Sequence, residues 1–97
     1  MKVEFLLEAR DELIEAAVYY EEMQPGLGMR FRNEVAEIVV TIQQHPLLWR
    51  ERHGGFRRVN CPVFPYYVAY FIRKNVVVIA AVAHSSRYPD YWKERMK

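Results

Sequence analysis

The sequence predicts an α+β domain: an N-terminal strand, an antiparallel helical hairpin, and a mainly antiparallel sheet completed by a C-terminal three-stranded meander. Three observations predict it. The apolar period is near two residues at the N-terminus, near 3.6 through the next forty or so, and near two again from Phe56. A Pro25-Gly26 dipeptide divides the helical stretch in two. The last half is rich in β-branched and aromatic residues, broken only by turn formers.

Each element follows in order. Val3, Phe5 and Leu7 alternate with Lys2, Glu4 and Leu6, which predicts a strand over residues 2–7. From Ala9 the residues Ala9, Leu13, Ala16, Ala17 and Tyr20 fall on one helical stripe, with Arg10, Asp11, Glu15, Glu21 and Glu22 elsewhere. That helix must stop by Gln24, because a residue before proline resists the α conformation. Leu27, Phe31, Val35, Ile38, Val39 and Ile42 make a second stripe, on a helix predicted over 29–44 that ends before His45-Pro46. Two such helices around a Pro-Gly turn fold back on each other and bury their stripes against a sheet.

Leu47 to Gly55 reads as a connector anchored by Trp49. Three strands follow: Phe56–Asn60, ended by Cys61-Pro62; Tyr66–Arg73; and Val76–Ala83, with Lys74-Asn75 as a two-residue turn. The unbroken run VVVIAAVA predicts a central strand covered on both faces. The tail SSRYPDYWKERMK is expected to form a short helical turn after Pro89, with Tyr91 and Trp92 as anchors.

The 97 residues suit a single domain over 1–97, and 52% hydrophobic with 27% charged residues is a globular balance. Cys61 stands alone, so no internal disulfide forms, and no apolar run has the length of a signal core or a membrane span. A cytoplasmic protein is expected, with no membrane association. The net charge of +2 hides a division: nine acids against four bases in residues 1–46, and three acids against ten bases in residues 47–97. Such segregation predicts one acidic and one basic face.

No metal and no cofactor are expected. One cysteine with the scattered His45, His53 and His84 does not make a four-ligand zinc site. Gly26-Leu27-Gly28 follows a helix rather than a strand, so it is not a phosphate loop, and Ser85-Ser86 beside His84 lacks a carboxylate to complete a triad. What remains is basic and aromatic. Arg57, Arg58, His84, Arg87, Tyr88 and Tyr91 fall at strand ends that a meander draws together. Arginine forks suit phosphate, and cleaving RNA through its 2′-hydroxyl needs a base, a cation and an acid. Against this, Arg57 and Arg58 point to opposite faces of one strand. Tyr66, Tyr67 and Tyr70 read first as sheet packing, Cys61 as a small core residue, and His84 as a hydrogen-bonded strand-end residue before a catalyst.

The strings YYEEMQPGLGMRF, GGFRRV, FPYYVAYFI and VVVIAAVAHSSRYPDYWKER, in that order, resemble the RelE/ParE superfamily, toxins of bacterial type II toxin–antitoxin modules also called plasmid stabilisation proteins. The resemblance covers nearly the whole chain and implies the strand–hairpin–meander fold. It also implies a cognate antitoxin that wraps and neutralises the toxin, with operator DNA reached only through that antitoxin. Two activities divide the superfamily. RelE-like members cut ribosome-bound mRNA with lysines, arginines and a C-terminal tyrosine, a role that would here fall to Arg57, Arg58, His84, Arg87 and Tyr88. ParE-like members inhibit DNA gyrase by binding. The lysine-rich segment before the meander is replaced by Arg50, Arg52 and His53, and the hairpin with YYEE and GLG at its turn is similar to ParE. The resemblance therefore implies a gyrase inhibitor, with Arg57, Arg58, Arg87, Tyr88, Tyr91 and Trp92 as the target-binding set. A ribosome-dependent ribonuclease and a non-toxic antitoxin-binding regulator are the alternatives.

Overall fold

Alternation at the N-terminus gives strand β1 (Lys2–Phe5), two residues shorter than the pattern predicts. The computed structural model describes all 97 residues and shows why. The Leu6 N–H closes the strand on the Ile79 carbonyl at 3.0 Å, while the Leu6 carbonyl already accepts from Arg10 N–H at 3.0 Å. Strand passes to helix with no loop, and α1 (Leu7–Met23) begins before Ala9. Ala9, Ala16, Ala17 and Tyr20 are its buried residues, the predicted stripe apart from half-buried Leu13.

Gln24 ends α1 in an extended conformation, and Gly26 turns the chain at φ +89°. Helix α2 (Leu27–Gln44) then starts two residues before the predicted Met29. The Glu21 carboxylate explains the early start: its two oxygens accept from Gly26 N–H at 2.8 Å and Gly28 N–H at 3.0 Å. A carboxylate on the free N–H groups of a helix start satisfies orphan donors and favours the dipole. Gly28 is where the helices touch, since a Cβ there would lie 2.3 Å from the Ala17 carbonyl oxygen. Phe31, Val35, Ile38 and Ile42 carry the buried stripe.

The meander forms as β2 (Arg57–Asn60), β3 (Tyr66–Arg73) and β4 (Val76–His84), and the sheet order is β1-β4-β3-β2. The pairs β2–β3 and β3–β4 are antiparallel, whereas β1 runs parallel to β4, with Lys2 opposite Val76 and Phe5 opposite Ile79. The apolar run is thus central. Lys74 (φ 51°) and Asn75 (φ 63°) make the two-residue turn, both in the left-handed region that tight hairpins need.

Ala69 pairs with Ala81 and Tyr70 with Ile79, so Ala80 is an extra residue on β4. The bulge reverses the strand's alternation. Val77, Ile79 and Val82 join the core under the helices, with Val59, Val68 and Tyr70. Val78, Ala80, Ala81 and Ala83 join a second core on the other face, with Phe56, Tyr67, Phe71 and Trp92. The helical hairpin covers one face. The other is covered by the tail, which ends in a short 3₁₀ turn over Lys93–Met96, and Trp92 is fully enclosed there.

The loops are held by side chains. Tyr70 Oη donates to the Pro46 carbonyl at 2.7 Å, and the Arg57 guanidinium to the Trp49 carbonyl at 2.8 Å. Glu34 on α2 accepts from Val63 N–H at 3.3 Å and Phe64 N–H at 3.2 Å, seating Phe64 against Phe31 and Tyr20. No helix is long and apolar enough to cross a membrane.

Candidate functional site

The basic residues that sequence places at strand ends divide between β2 and the end of β4. At the end of β4 they meet Glu12. This α1 carboxylate reaches the edge of β4 beyond the last residue of β1, where a strand edge has no neighbour. Its Oε1 accepts from Val82 N–H at 3.0 Å, and Arg95 donates across the same gap to the Ala80 carbonyl at 3.1 Å. Arg95 also grips both Glu12 oxygens, at 2.9 and 3.1 Å, and Tyr91 Oη donates to Oε2. Arg87 lies 3.8 Å from Oε2 and stacks its guanidinium 3.8 Å from the centre of the Tyr91 ring. One carboxylate thus holds three tail groups and one strand amide.

The electrostatics follow from that enclosure. Burial first, then the hydrogen bond to Glu12, raises the Tyr91 phenol far above its ordinary value. Burial alone would lower Arg95, but the Glu12 hydrogen bond and charge outweigh it and raise it. Tyr91 is therefore a fixed neutral donor at physiological pH. Arg87 stays half in water, its side chain 56% exposed, and Tyr88 is 82% exposed.

His84 closes the same end. Ser86 N–H donates to its Nδ1 at 3.0 Å, and Ser86 Oγ lies 2.7 Å from the same nitrogen. An Nδ1 that accepts carries no proton, so the neutral ring bears it on Nε2. The ring sits edge-on to Tyr66, 5.0 Å between centres. A pocket of about 180 Å³ lies between these groups and α1, walled by Glu15, Tyr19, Tyr66, His84, Arg87 and Tyr91. Burial raises Tyr66, with smaller contributions from Tyr20, Tyr19 and Glu12 that Arg87 opposes.

Arg57 and Arg58 lie on the edge strand β2, separated from β4 by β3, and their directions diverge as the strand period requires. Arg57 pairs with Tyr70 on the helix-covered face and holds the Trp49 carbonyl. Arg58 pairs with Ala69 on the opposite face, stacks 3.7 Å from the centre of the Tyr67 ring and donates to Asn60 Oδ1 at 3.0 Å. Its Nε is enclosed with no hydrogen-bond partner. Tyr67 in turn accepts from the Trp92 indole at 2.9 Å. Trp92, expected both as a tail anchor and as a target contact, is fully enclosed and packs edge-on to Phe56, 4.6 Å between centres. In this conformation it is an anchor. No group of three or more His, Cys, Asp or Glu is arranged to hold a metal ion.

The model of a family described as the ParE toxin of the type II toxin–antitoxin system, parDE, matches residues 3–89. The chain belongs to the ParE toxin family. A solved structure described as the chromosomal ParDE TA system from P. aeruginosa contains a chain with the same fold: TM-score 0.78 at 16% identity, over 87% of this chain and 95% of that one. No curated protein matches this chain at a significant level. The superfamily resemblance and the fold expected from it hold. In this ParE-family chain the match ends at Pro89, so Tyr91, Trp92 and Arg95, which fasten the tail, lie beyond the matched segment.

Glu12, Glu21 and Glu34 are the fastening carboxylates that sequence reasoning missed. A signal existed. Glu12 stands three residues after Ala9 and four before Ala16, Glu21 four after Ala17, and Glu34 three after Phe31 and four before Ile38. Each acid therefore flanks a buried stripe instead of the solvent face.

Proposed function

We propose that this chain is a toxin that inhibits DNA gyrase by binding it, and that a cognate antitoxin neutralises it in the bacterial cytoplasm. The observation that carries the binding reading is the dispersal of the groups a nuclease would need together. Arg57 and Arg58 leave β2 on opposite faces, and β3 separates them from β4 and Arg87. His84 Nδ1 is turned to Ser86, and the Tyr91 hydroxyl is given to Glu12. In-line cleavage needs base, acid and cation around one phosphorus. Of the residues a nuclease would use, His84 and Arg87 share one pocket, whereas Arg57 and Arg58 stand on β2, beyond β3, outside it. The groups left for a target are the exposed Arg87 and Tyr88 beyond β4 and the half-buried Arg58 on β2, with Tyr91, Trp92 and Arg57 as their supports.

The hairpin supplies the surface we assign to the antitoxin. A groove of about 440 Å³ runs along α2 beside β1, walled by Phe5, Leu13, Met29, Val35, Val39 and Val40. Met29 and Val40 are about half exposed, at 54% and 49%, which suits the apolar face of a partner helix. Operator DNA would be recognised by the antitoxin within that complex.

The test is expression of the chain alone in a bacterium, with plasmid supercoiling and mRNA integrity followed together. Loss of supercoiling with intact transcripts is the expected result, and purified gyrase should lose supercoiling activity on addition of the chain. Codon-phased cuts in ribosome-bound mRNA would replace this reading with ribosome-dependent cleavage. Absence of any growth effect would leave a regulatory antitoxin-binding module.

A further inference from the structure

The two cationic ends of the sheet are not equivalent. At the β4 end Arg87 and Arg95 share the single counter-charge of Glu12, which Arg95 holds more closely. At the β2 edge Arg50, Arg52 and Arg58 line a cleft of about 440 Å³, with Trp49, Val59 and Asn60, and every ion pair in the chain involves other residues. Glu51, the one acid of the connector, is not part of its lining. Three arginines thus line a concavity that includes no acid, an arrangement that favours an anion.

The cleft is also built in advance. Arg58 is fixed by the Tyr67 ring beneath it and by Asn60 beside it, so its fork loses little freedom on binding. Its enclosed Nε lacks an acceptor, a rare state for a buried donor. Arg57, from the opposite face, holds the Trp49 carbonyl and so fixes the aromatic wall. The main-chain bond from Arg52 N–H to the Phe56 carbonyl, at 2.7 Å, closes the connector over β2 and carries Arg52 to the rim.

We propose that this cleft is a sequence-independent binding site for the phosphate backbone of DNA. Forked guanidinium groups match the paired oxygens of successive phosphates, and a neighbouring indole suits the sugar and base edges between them. The charge division of the chain favours the same occupant: the acidic helical half repels a polyanion and leaves the meander side toward it. Asn60, whose amide could read a base edge, already accepts from Arg58 through its Oδ1, so the cleft is left to contact the backbone, which sets position and carries no sequence information. This goes beyond inhibition of gyrase and does not depend on it, since the site would act on DNA with no enzyme present.

Fluorescence anisotropy of the full chain with a short fluorescein-labelled DNA duplex tests the site. Binding should be indifferent to sequence and weaken steeply with salt. The Arg50→Ala/Arg52→Ala double variant, altered only on the connector, should weaken it about tenfold or more and lower the slope of log K against log salt by about 2, one for each phosphate no longer held. Lys2→Ala with Arg10→Ala, equal in charge but on β1 and α1, should leave the slope intact. Arg58→Lys keeps the charge and should lose affinity at unchanged slope. An unchanged slope in the Arg50/Arg52 variant overturns the site. So does absence of binding at low salt, or displacement of the duplex by poly-glutamate at a lower charge concentration than by unlabelled DNA. The last result would give the cleft to an acidic protein segment. Because no gyrase is present, failure here leaves the supercoiling result standing, and the reverse also holds.

Discussion

Arg95 donates from both terminal nitrogens to the two oxygens of Glu12, at 2.9 and 3.1 Å, and so joins the last turn of the chain to its first helix, 83 residues away in sequence. The carboxylate's side chain is 14% exposed and the guanidinium's 18%. Such a pair gives little net stability over an apolar replacement of both, yet removing one partner strands the other.

Glu12→Ala should therefore destabilise the chain by about 3 kcal/mol, because Arg95 and the Val82 amide lose their acceptor together. Glu12→Gln should retain part of this through Val82. Arg87→Ala, at the exposed rim of the cluster, should cost less than about 1 kcal/mol. Urea unfolding curves measure all three. Equal losses for Glu12→Ala and Arg87→Ala would refute the carboxylate's central role.

Burial, followed by the charge and hydrogen bond of Glu34, pushes the Cys61 thiol up from 9.0 to about 12. The folded chain then holds this proton more tightly than the unfolded chain. The resulting stability is complete below pH 9 and is lost as pH rises toward 12. Tyr20, Tyr66, Tyr70 and Tyr91, all raised chiefly by burial, act in the same direction. Unfolding midpoints of the natural chain and Cys61→Ala should converge on going alkaline through this window. Alkylation by iodoacetamide at pH 8 should be much slower than in urea; equal rates would mean the thiol is not shielded.

Gly28→Ala should cost about 1–3 kcal/mol, because the added methyl would lie 2.3 Å from the Ala17 carbonyl and force the helices apart. Thermal unfolding followed by circular dichroism reads the loss. Since Gly26 meets nothing within 4 Å, Gly26→Ala should act only through its left-handed φ of +89° and cost about 1 kcal/mol. A larger loss at Gly26 than at Gly28 would contradict the close approach of the helices.

Trp92→Ala should remove about 3–5 kcal/mol by emptying the core between tail and sheet. Tyr67→Phe, which deletes only the acceptor of the indole N–H, should cost about 1 kcal/mol. Indole fluorescence separates the two, because a buried Trp92 emits to the blue and is quenched little by iodide. Free quenching of both Trp49 and Trp92 would show that the tail does not cover the sheet.

The helical hairpin and the meander were legible because their periods differ and because Pro25-Gly26 and Lys74-Asn75 are turn chemistry. The central place of VVVIAAVA was legible as well, since only a strand covered on both faces can be apolar throughout. Its bulge was not. Ala80 and Ala81 are equally small, and a two-residue alternation cannot reveal where it slips when the residues at the slip are alike. The parallel pairing of β1 with β4 depends on contacts more than seventy residues apart, which local patterns do not encode. The divergence of Arg57 and Arg58 could be read from strand geometry. The occupation of Arg87 and Tyr91 by Glu12 could not, because Glu12 looks like any helix acid until the strand edge it caps is placed.

The parallel pairing of Lys2 with Val76 has a consequence for synthesis. The first strand made waits for the last strand before it has a neighbour, and the tail that seals the other face follows later still. Closure of the sheet is therefore a late, long-range step, which ties folding to the synthesis of β4. A truncated product ending before β4 would have no central strand and no Trp92 to cover the sheet. Prematurely terminated copies of this ParE-family chain should thus be inert, which makes any harm it does to its host a property of finished molecules alone.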